Sequence, residues 1–216
     1  EAARPYAAEA LTCDEGDLVF FDGIFSASGT NRSITIEDLV LRLVPDSGDH
    51  PFNIKHSYEP DGSTYPYGCH IAEIEIDPAT CDVNIMRYTV VDDFGAVINP
   101  LMLEGQIHGG IAQGIGQAIH EYAAFDEQGQ LVAGSLMDYR LPRAADLPTF
   151  DIHFRSIPCK NNILGVKGSG EAGAIGAPQA VIAAVTGALG IAHIDMPATP
   201  AAIWQALQKK QSGKVV

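Results

Sequence analysis

The stretch Lys167-Gly-Ser-Gly-Glu-Ala-Gly-Ala-Ile-Gly-Ala-Pro178 places one carboxylate, Glu171, in a loop that is rich in glycine. Glycine has no side chain, so a loop of this composition lets the backbone approach a ligand closely. A carboxylate held beside a ligand is a candidate general base. A second interpretation, an exposed loop glutamate without a chemical role, agrees equally well with the composition.

The same stretch satisfies the spacing Gly-x-Gly-x-x-Gly of a dinucleotide-binding turn, at Gly168, Gly170 and Gly173. Three observations argue against a nicotinamide cofactor. A negative charge at Glu171 would face the pyrophosphate, which is itself negative. Only about 40 residues follow the turn, too few for the remaining parallel strands. Proline suits the first helical turn, so the helix is predicted to begin near Pro178, too far beyond the glycines.

The rest of the chain predicts an α+β fold in which antiparallel hairpins and a mixed sheet pack against helices. The clearest hairpin joins an alternating segment, 71–77, to a strand that begins at Val83. Further strands are predicted at 18–21, 33–36, 131–133 and 150–156. Helices are predicted at 37–43, 101–123, 178–189 and 200–209, and a long loop at 45–68.

The predicted helix 101–123 contains an unusual number of glycines. A glycine in a helix interior costs roughly 1 kcal/mol relative to alanine. Such a run is tolerated where another helix or a ligand presses close to the backbone, and helix packing is the favoured interpretation. The glycines concerned are Gly105, Gly109, Gly110, Gly114 and Gly116.

Charge and cysteine usage exclude several classes of protein. The formal net charge of −14 disfavours nucleic acid and anionic membranes as partners, because both bind clustered Lys and Arg. No uninterrupted apolar run reaches the roughly 18 residues that a membrane span needs. The four cysteines include no Cys-x-x-Cys pair, so neither a disulfide framework nor a zinc site is predicted. The N-terminus has neither an initiator Met nor a signal peptide, and we expect a cytoplasmic chain cut from a longer one.

Five segments, in order along the chain, resemble the large subunits of the molybdenum hydroxylases, the xanthine oxidase and aldehyde oxidase family. The likeness is strongest to the aerobic carbon monoxide dehydrogenase type. One segment resembles the family's Asp-x-Gly-x-x-Ile-Asn-Pro loop and another its Gly-Gln-x-x-Gly-Gly-x-x-Gln-Gly helix. The segments are 64–77, 92–100, 104–116, 137–148 and 167–178.

This resemblance implies that residues 1–216 form a single C-terminal segment of the molybdopterin-binding region, within a larger subunit or complex. In the family, the glutamate that matches Glu171 is the general base beside molybdenum. The glutamine that matches Gln106 hydrogen-bonds the pterin. Gly170 and Lys167 are also expected at the cofactor, and no residue of the chain is predicted to be a metal ligand.

The implied activity is the hydroxylation of a small carbon substrate, of aldehyde, heterocycle or carbon monoxide type, with oxygen derived from water. The expected cofactor is molybdenum–molybdopterin, in its cytosine dinucleotide form. FAD and 2Fe-2S clusters are expected on partner subunits, and the rest of the molybdenum subunit would complete the site. The alternative is a non-catalytic fragment or partner subunit with a structural role. His108 and Gln113 are not predicted to be ligands.

Overall fold

The computed structural model describes residues 1–43, 50–60 and 62–212. The chain divides into two compact units, Glu1–Glu59 and Pro60–Val216. The prediction of a single segment over 1–216 does not anticipate this division. Part of the predicted loop 45–68 lies outside the described residues.

The first unit is a small antiparallel sheet with two helices, α1 (Arg4–Leu11) and α2 (Ile36–Arg42). Its strands are β1 (Leu18–Phe21), β2 (Ile24–Ala27) and β3 (Ser33–Thr35), in the order β1-β2-β3. Strand β2 is not among the strands predicted from the sequence. The signal is the pair Asp22-Gly23, because both residues have positive φ angles, 46° and 78°, and Asp-Gly is typical of a two-residue hairpin turn.

The second unit contains a mixed three-stranded sheet of β4 (Tyr67–Ile76), β5 (Val83–Asp93) and β6 (Phe150–Phe154). Strands β4 and β5 are antiparallel, which confirms the predicted hairpin, and β6 pairs parallel to β5. The strand predicted at 131–133 is wrong. Leu131 makes only a single bridge to Phe125, so no ladder forms there.

Three helices pack with this sheet: α3 (Pro100–Ile119), α4 (Ala172–Leu189) and α5 (Pro200–Gln211). The Asn99 side chain caps α3 by accepting a hydrogen bond from the Met102 N–H at 3.1 Å. The core forms where apolar side chains from the three helices and β5 meet. Its fully buried members include Tyr88, Val90, Ile107, Ile111, Ile115, Val181, Val185 and Ile203.

Helix α4 begins at Ala172, six residues before the predicted start at Pro178. Proline in a helix interior lacks the N–H that would reach the carbonyl of Ala174, four residues earlier. In this helix both groups lie against Gly114 of α3, where a Cβ would meet Pro178 Cδ at 2.9 Å and the Ala174 oxygen at 3.4 Å. Pro178 and the Ala174 carbonyl group therefore lie at the contact between α3 and α4.

Among the described residues, α4 is the one helix long and apolar enough to cross a membrane by length and composition. The prediction made from uninterrupted apolar runs does not detect it, because Gln179 and Thr186 interrupt the apolar sequence although the mean hydropathy over the 18 residues is 1.5. Helix α4 packs against α3 and β4, as a core helix of a globular unit does.

The class predicted from the sequence is confirmed, since helices pack with one antiparallel and one mixed sheet. Of the three reasons against a dinucleotide fold, the late start of the helix is wrong. The helix does follow the glycines directly, contrary to the expectation. What is missing from the described residues is a run of parallel βαβ units, because the sheet joins an antiparallel hairpin to a single parallel strand.

Candidate functional site

Two predicted site residues meet at the N-terminal end of α4. Gln106, on the second turn of α3, donates a hydrogen bond from Nε2 to the Gly170 carbonyl oxygen at 3.0 Å. Gly170 immediately precedes Glu171, which is the N-cap residue of α4. This hydrogen bond spans 64 residues of sequence, so it joins the glycine-rich helix to the glycine-rich loop.

Glu171 holds its backbone in the helix and its carboxylate outside it. The Glu171 carbonyl oxygen accepts hydrogen bonds from the N–H groups of Ala174 and Ile175, both at 3.0 Å. The side chain is exposed and does not cap the helix. A negative charge at this position is favoured by the positive end of the helix dipole. The carboxylate is therefore anchored through its backbone and accessible to a ligand.

Helices α3 and α4 approach each other backbone to backbone. A Cβ built on Gly110 would lie 2.9 Å from Gly173 Cα, and one built on Gly173 would lie 2.7 Å from the Ile107 carbonyl oxygen. A Cβ on Gly114 would lie 2.7 Å from Ala177 Cβ. Real side chains do not tolerate such separations, so helix packing explains these glycines.

Four other glycines border open space instead. A Cβ on any of them would meet nothing within 4 Å, outside its own chain neighbours and helix backbone. Helix packing therefore explains only part of the glycine run in α3, and the remainder leaves room beside the backbone. These four residues are Gly105 and Gly109 on α3, and Gly168 and Gly170 in the loop.

Lys167 lies in the loop as predicted, but its ammonium group already has partners. Lys167 Nζ donates to Asp93 Oδ2 at 2.6 Å, and the two side chains are only 8% and 3% exposed. The same nitrogen lies 4.3 Å from the centroid of the Tyr67 ring, a cation–π geometry. The geometry thus shows an internal ion pair at Lys167, and direct contact between this side chain and a cofactor stays a prediction.

Asp93 receives no role in the sequence analysis, although its motif is recognised there. Burial alone would raise the pKa of this carboxyl group, but hydrogen bonds from Lys167, from the Ile157 and Gly95 N–H groups and from Tyr67 outweigh it. The pKa of Asp93 is therefore held well below its usual range. Gly95 is two residues away, but Ile157 and Lys167 lie 64 and 74 residues away in sequence, so sequence spacing could not reveal these partners.

The lowered pKa of Asp93 predicts a dependence of stability on pH. The unfolded chain binds a proton at this carboxyl group at higher pH than the folded chain does, so stability rises with pH. The contribution is complete above the ordinary pKa of aspartate and is lost as the pH falls toward the lowered value. We expect urea titrations between pH 6 and about pH 2 to show a shallower loss of unfolding free energy for Asp93→Asn than for the wild type. Equal slopes would contradict this assignment.

A cavity of about 350 Å³ lies next to Gln106 and the loop 167–171. The polar residues of its lining are Gln106, Lys167, Ser169 and Asn99. The apolar part of its lining comes from Phe94, Ala96, Val97, Ile98, Met102, Leu103 and Val166. Such a mixture suits a flat ring system with hydrogen-bonding edges.

A second cavity, of about 450 Å³, lies at the other end of the β4–β5 hairpin and contains none of the predicted site residues. His120 lines it, is buried, and has no hydrogen-bond partner for either ring nitrogen among the described residues. Burial is the main cause that lowers the pKa of His120, and the positive charge of the nearby Arg140 lowers it further. Both causes favour the neutral ring. This cavity is separate from the Gln106–Glu171 site.

Among the described residues, no hydrogen bond joins His108 or Gln113 of α3 to the loop 167–178. The His108 ring lies 2.9 Å from the Glu104 carbonyl oxygen through Nδ1 and stacks on Phe150, with ring centroids 5.4 Å apart. These contacts agree with a helix-packing histidine. Gln113 is exposed.

The sequence profile of the molybdopterin cofactor-binding domain family matches residues 1–148. The chain belongs to the molybdopterin cofactor-binding domain family. Gln106 falls inside the matched range, whereas Lys167, Gly170 and Glu171 lie beyond it. The family is one of molybdopterin-dependent oxidoreductases.

Two similar proteins extend the match to the loop 167–178 of this chain. The carbon monoxide dehydrogenase large chain of Hydrogenophaga pseudoflava is 34% identical over 214 residues, which cover 96% of this chain and 27% of that protein. The nicotine 6-hydroxylase large subunit of Paenarthrobacter nicotinovorans is 36% identical over 204 residues, 90% of this chain and 25% of that protein.

The fold of this chain agrees with that of part of a solved enzyme. Quinoline 2-oxidoreductase from Pseudomonas putida 86 superimposes with a TM-score of 0.84 at 32% identity, over 96% of this chain and 28% of the other. The chain therefore spans about a quarter of the length of the proteins that it resembles.

Proposed function

We propose that this chain forms the C-terminal part of the molybdenum-binding region of a molybdenum hydroxylase, with Glu171 as the general base. The observation that carries this proposal is the hydrogen bond from Gln106 to Gly170, because it joins the predicted pterin contact to the residue next to the predicted base. Both residues border glycines that leave open space beside the backbone.

The residues present fit molybdenum–molybdopterin. The 350 Å³ cavity is lined by the polar residues Gln106 and Ser169 and by apolar residues that include Phe94. Gln106 uses its amide N–H on Gly170, so its amide oxygen is the group that would accept a hydrogen bond from a pterin edge. Gly170 would line the cofactor with backbone, and the cytosine dinucleotide form is our proposal for the nucleotide.

When bound, the cofactor would supply the oxidation chemistry, in which oxygen derived from water is added to a small carbon substrate. The role of this chain in the reaction is to accept a proton at the Glu171 carboxylate. An accessible carboxylate on a fixed backbone can take up a proton from a water-derived hydroxyl group that lies within hydrogen-bond reach. Because Glu171 is exposed, the exclusion of water around it has to come from other polypeptide.

We infer that the remaining polypeptide of the molybdenum subunit covers the cavity next to Gln106, and that iron–sulfur and flavin subunits accept the electrons in the cytoplasm. The comparison lengths support this, since each relative is about four times as long as the matched region. The substrate class we propose is a small aldehyde, a heterocycle or carbon monoxide, the range suggested by the resemblance and by the names of the relatives.

Metal analysis with native mass spectrometry tests the proposal. We expect the 216-residue chain alone to bind little molybdenum, because it supplies only one side of the site. The assembly purified from its source should contain molybdenum and pterin in amounts equal to the chain. Stoichiometric molybdenum in the isolated chain would contradict a shared site, and an assembly without molybdenum would favour a purely structural role.

A further inference from the structure

Lys167, four residues before Glu171 in the sequence, forms an ion pair with Asp93. This ion pair takes no part in the proposed chemistry. Its two charged atoms are 2.6 Å apart, and both side chains are less than a tenth exposed. Removing two charges from water is unfavourable unless each finds close partners. A pair buried to this degree therefore indicates that the chain needs these two charged side chains in contact at this position.

Asp93 connects three segments that are distant in sequence. At the end of β5, its Oδ1 accepts hydrogen bonds from the N–H groups of Gly95 at 2.8 Å and Ile157 at 3.0 Å. Its Oδ2 accepts from Lys167. One carboxylate thus joins the loop after β5, the loop after β6 and the loop before α4.

The backbone near Lys167 is attached to the same place. The Lys167 N–H donates to the Phe94 carbonyl oxygen at 2.9 Å, and the Ala96 N–H donates to the Gly165 carbonyl oxygen at 2.8 Å. Val166 and Gly95 form an antiparallel bridge. The start of the loop 167–171 is therefore bonded to the segment that follows β5.

The other end of the loop is fixed by α4 and by the hydrogen bond from Gln106 to Gly170. Between the two ends lie Gly168 and Gly170, which border open space. Glycine has more backbone freedom than any other residue, so the position of Glu171 depends on these two attachments. A displacement of about 1 Å in a reacting group can lower a rate by about 10²-fold.

We propose that Asp93 and Lys167 are positioning residues, which hold the loop 167–171 and so set the place of Glu171 relative to Gln106. The inference rests on the proposed function, because the position of Glu171 affects the rate only if Glu171 is the base. It assigns Lys167 an indirect part, through Asp93, with no contact to the cofactor.

Hydrogen–deuterium exchange and kinetics of the assembled enzyme test this proposal together. The main variant is Lys167→Met, which keeps the aliphatic stem and removes the charge, and Lys167→Arg is the conservative variant. The control is Asp151→Asn, which breaks the exposed ion pair of Arg87 and Asp151 on the same sheet, whose charged atoms are 3.0 Å apart. Exchange is followed in peptides that cover 167–174, and turnover is expressed per bound molybdenum.

We expect Lys167→Met to increase amide exchange in 167–174 at least about tenfold and to lower the rate per molybdenum by about 10- to 100-fold. Lys167→Arg should restore much of both, and Asp151→Asn should change neither. If Lys167→Met does not assemble, Tyr67→Phe serves instead, because it removes a single hydrogen bond to Asp93 from a mostly exposed side chain. It should increase exchange in the same peptides to a smaller degree.

The outcomes separate this inference from the proposed function. Unchanged exchange in 167–174 for folded Lys167→Met or Tyr67→Phe would overturn the positioning role, whatever the activity. Increased exchange with an unchanged rate per molybdenum would support the anchoring of the loop and remove Glu171 from the proposed chemistry. A loss of activity that follows molybdenum content alone, with exchange in 167–174 unchanged, would overturn the positioning role in favour of cofactor retention.

Discussion

Glu171→Gln in the assembled enzyme is expected to lower turnover per bound molybdenum by at least about 10²-fold, within the range of about 10² to 10⁴ that general base catalysis supplies. Glutamine keeps the shape and the hydrogen-bonding reach of the side chain but cannot accept the proton. The backbone of residue 171 bonds to Ala174 and Ile175 and should stay in place, so the molybdenum content should remain close to that of the wild type.

The control for this substitution is Glu127→Gln, the same chemical change at an exposed glutamate in a different loop. It should leave the rate per molybdenum unchanged. The reductive half-reaction, measured by rapid mixing and divided by molybdenum content, gives the required rate. A rate for Glu171→Gln within a few fold of the wild type would remove this carboxylate from the mechanism.

Gly110→Ala and Gly109→Ala are expected to change the free energy of unfolding in opposite directions. At Gly110 the new methyl group would meet the backbone of Gly173 at 2.9 Å, and overpacking of this kind typically costs about 1–3 kcal/mol. At Gly109 the methyl group meets nothing within 4 Å, so the higher helix propensity of alanine should stabilise the chain by up to about 1 kcal/mol.

Urea titrations of the two variants, side by side with the wild type, measure this difference directly. The two positions are adjacent on the same helix, so effects on the unfolded chain are nearly identical and cancel in the comparison. Gly110→Leu should be more destabilising than Gly110→Ala, since a longer side chain faces the same backbone. Equal effects of the two alanine substitutions would mean that α3 does not press against α4 at Gly110.

The same pair of glycines shows where sequence reasoning succeeds and where it ends. A glycine-rich helix at 101–123 is visible in the sequence, and so is the choice between packing and a ligand. The choice differs between Gly109 and Gly110, because successive residues on a helix point about 100° apart. Only the position of α4 decides which one faces a neighbour.

The hairpin of β4 and β5 could be predicted because its pattern is local: alternation along one strand, a turn and a return. The start of α4 could not, because the usual preference of proline for the first helical turn is overridden by the contact of Pro178 with Gly114 on another helix. The same limit applies to the site. Glu171 and Gln106 come from recognised motifs, whereas the partner of Lys167 depends on how strands 74 residues away are placed.

The Asp93 carboxylate sets a lower limit on what a protein engineer could transplant from this molecule. A graft of the loop 167–178 alone would transfer Lys167 without Asp93, its partner in the ion pair. The loop that carries Glu171 would then lose one of its two attachments. The smallest portable piece runs from Tyr67, at the first strand of the mixed sheet, to the end of α5 at Gln211, because Ile203 of α5 is fully buried in the same core. Circular permutants with new termini between residues 93 and 167 should likewise be judged by whether Asp93, Ile157 and Lys167 still converge.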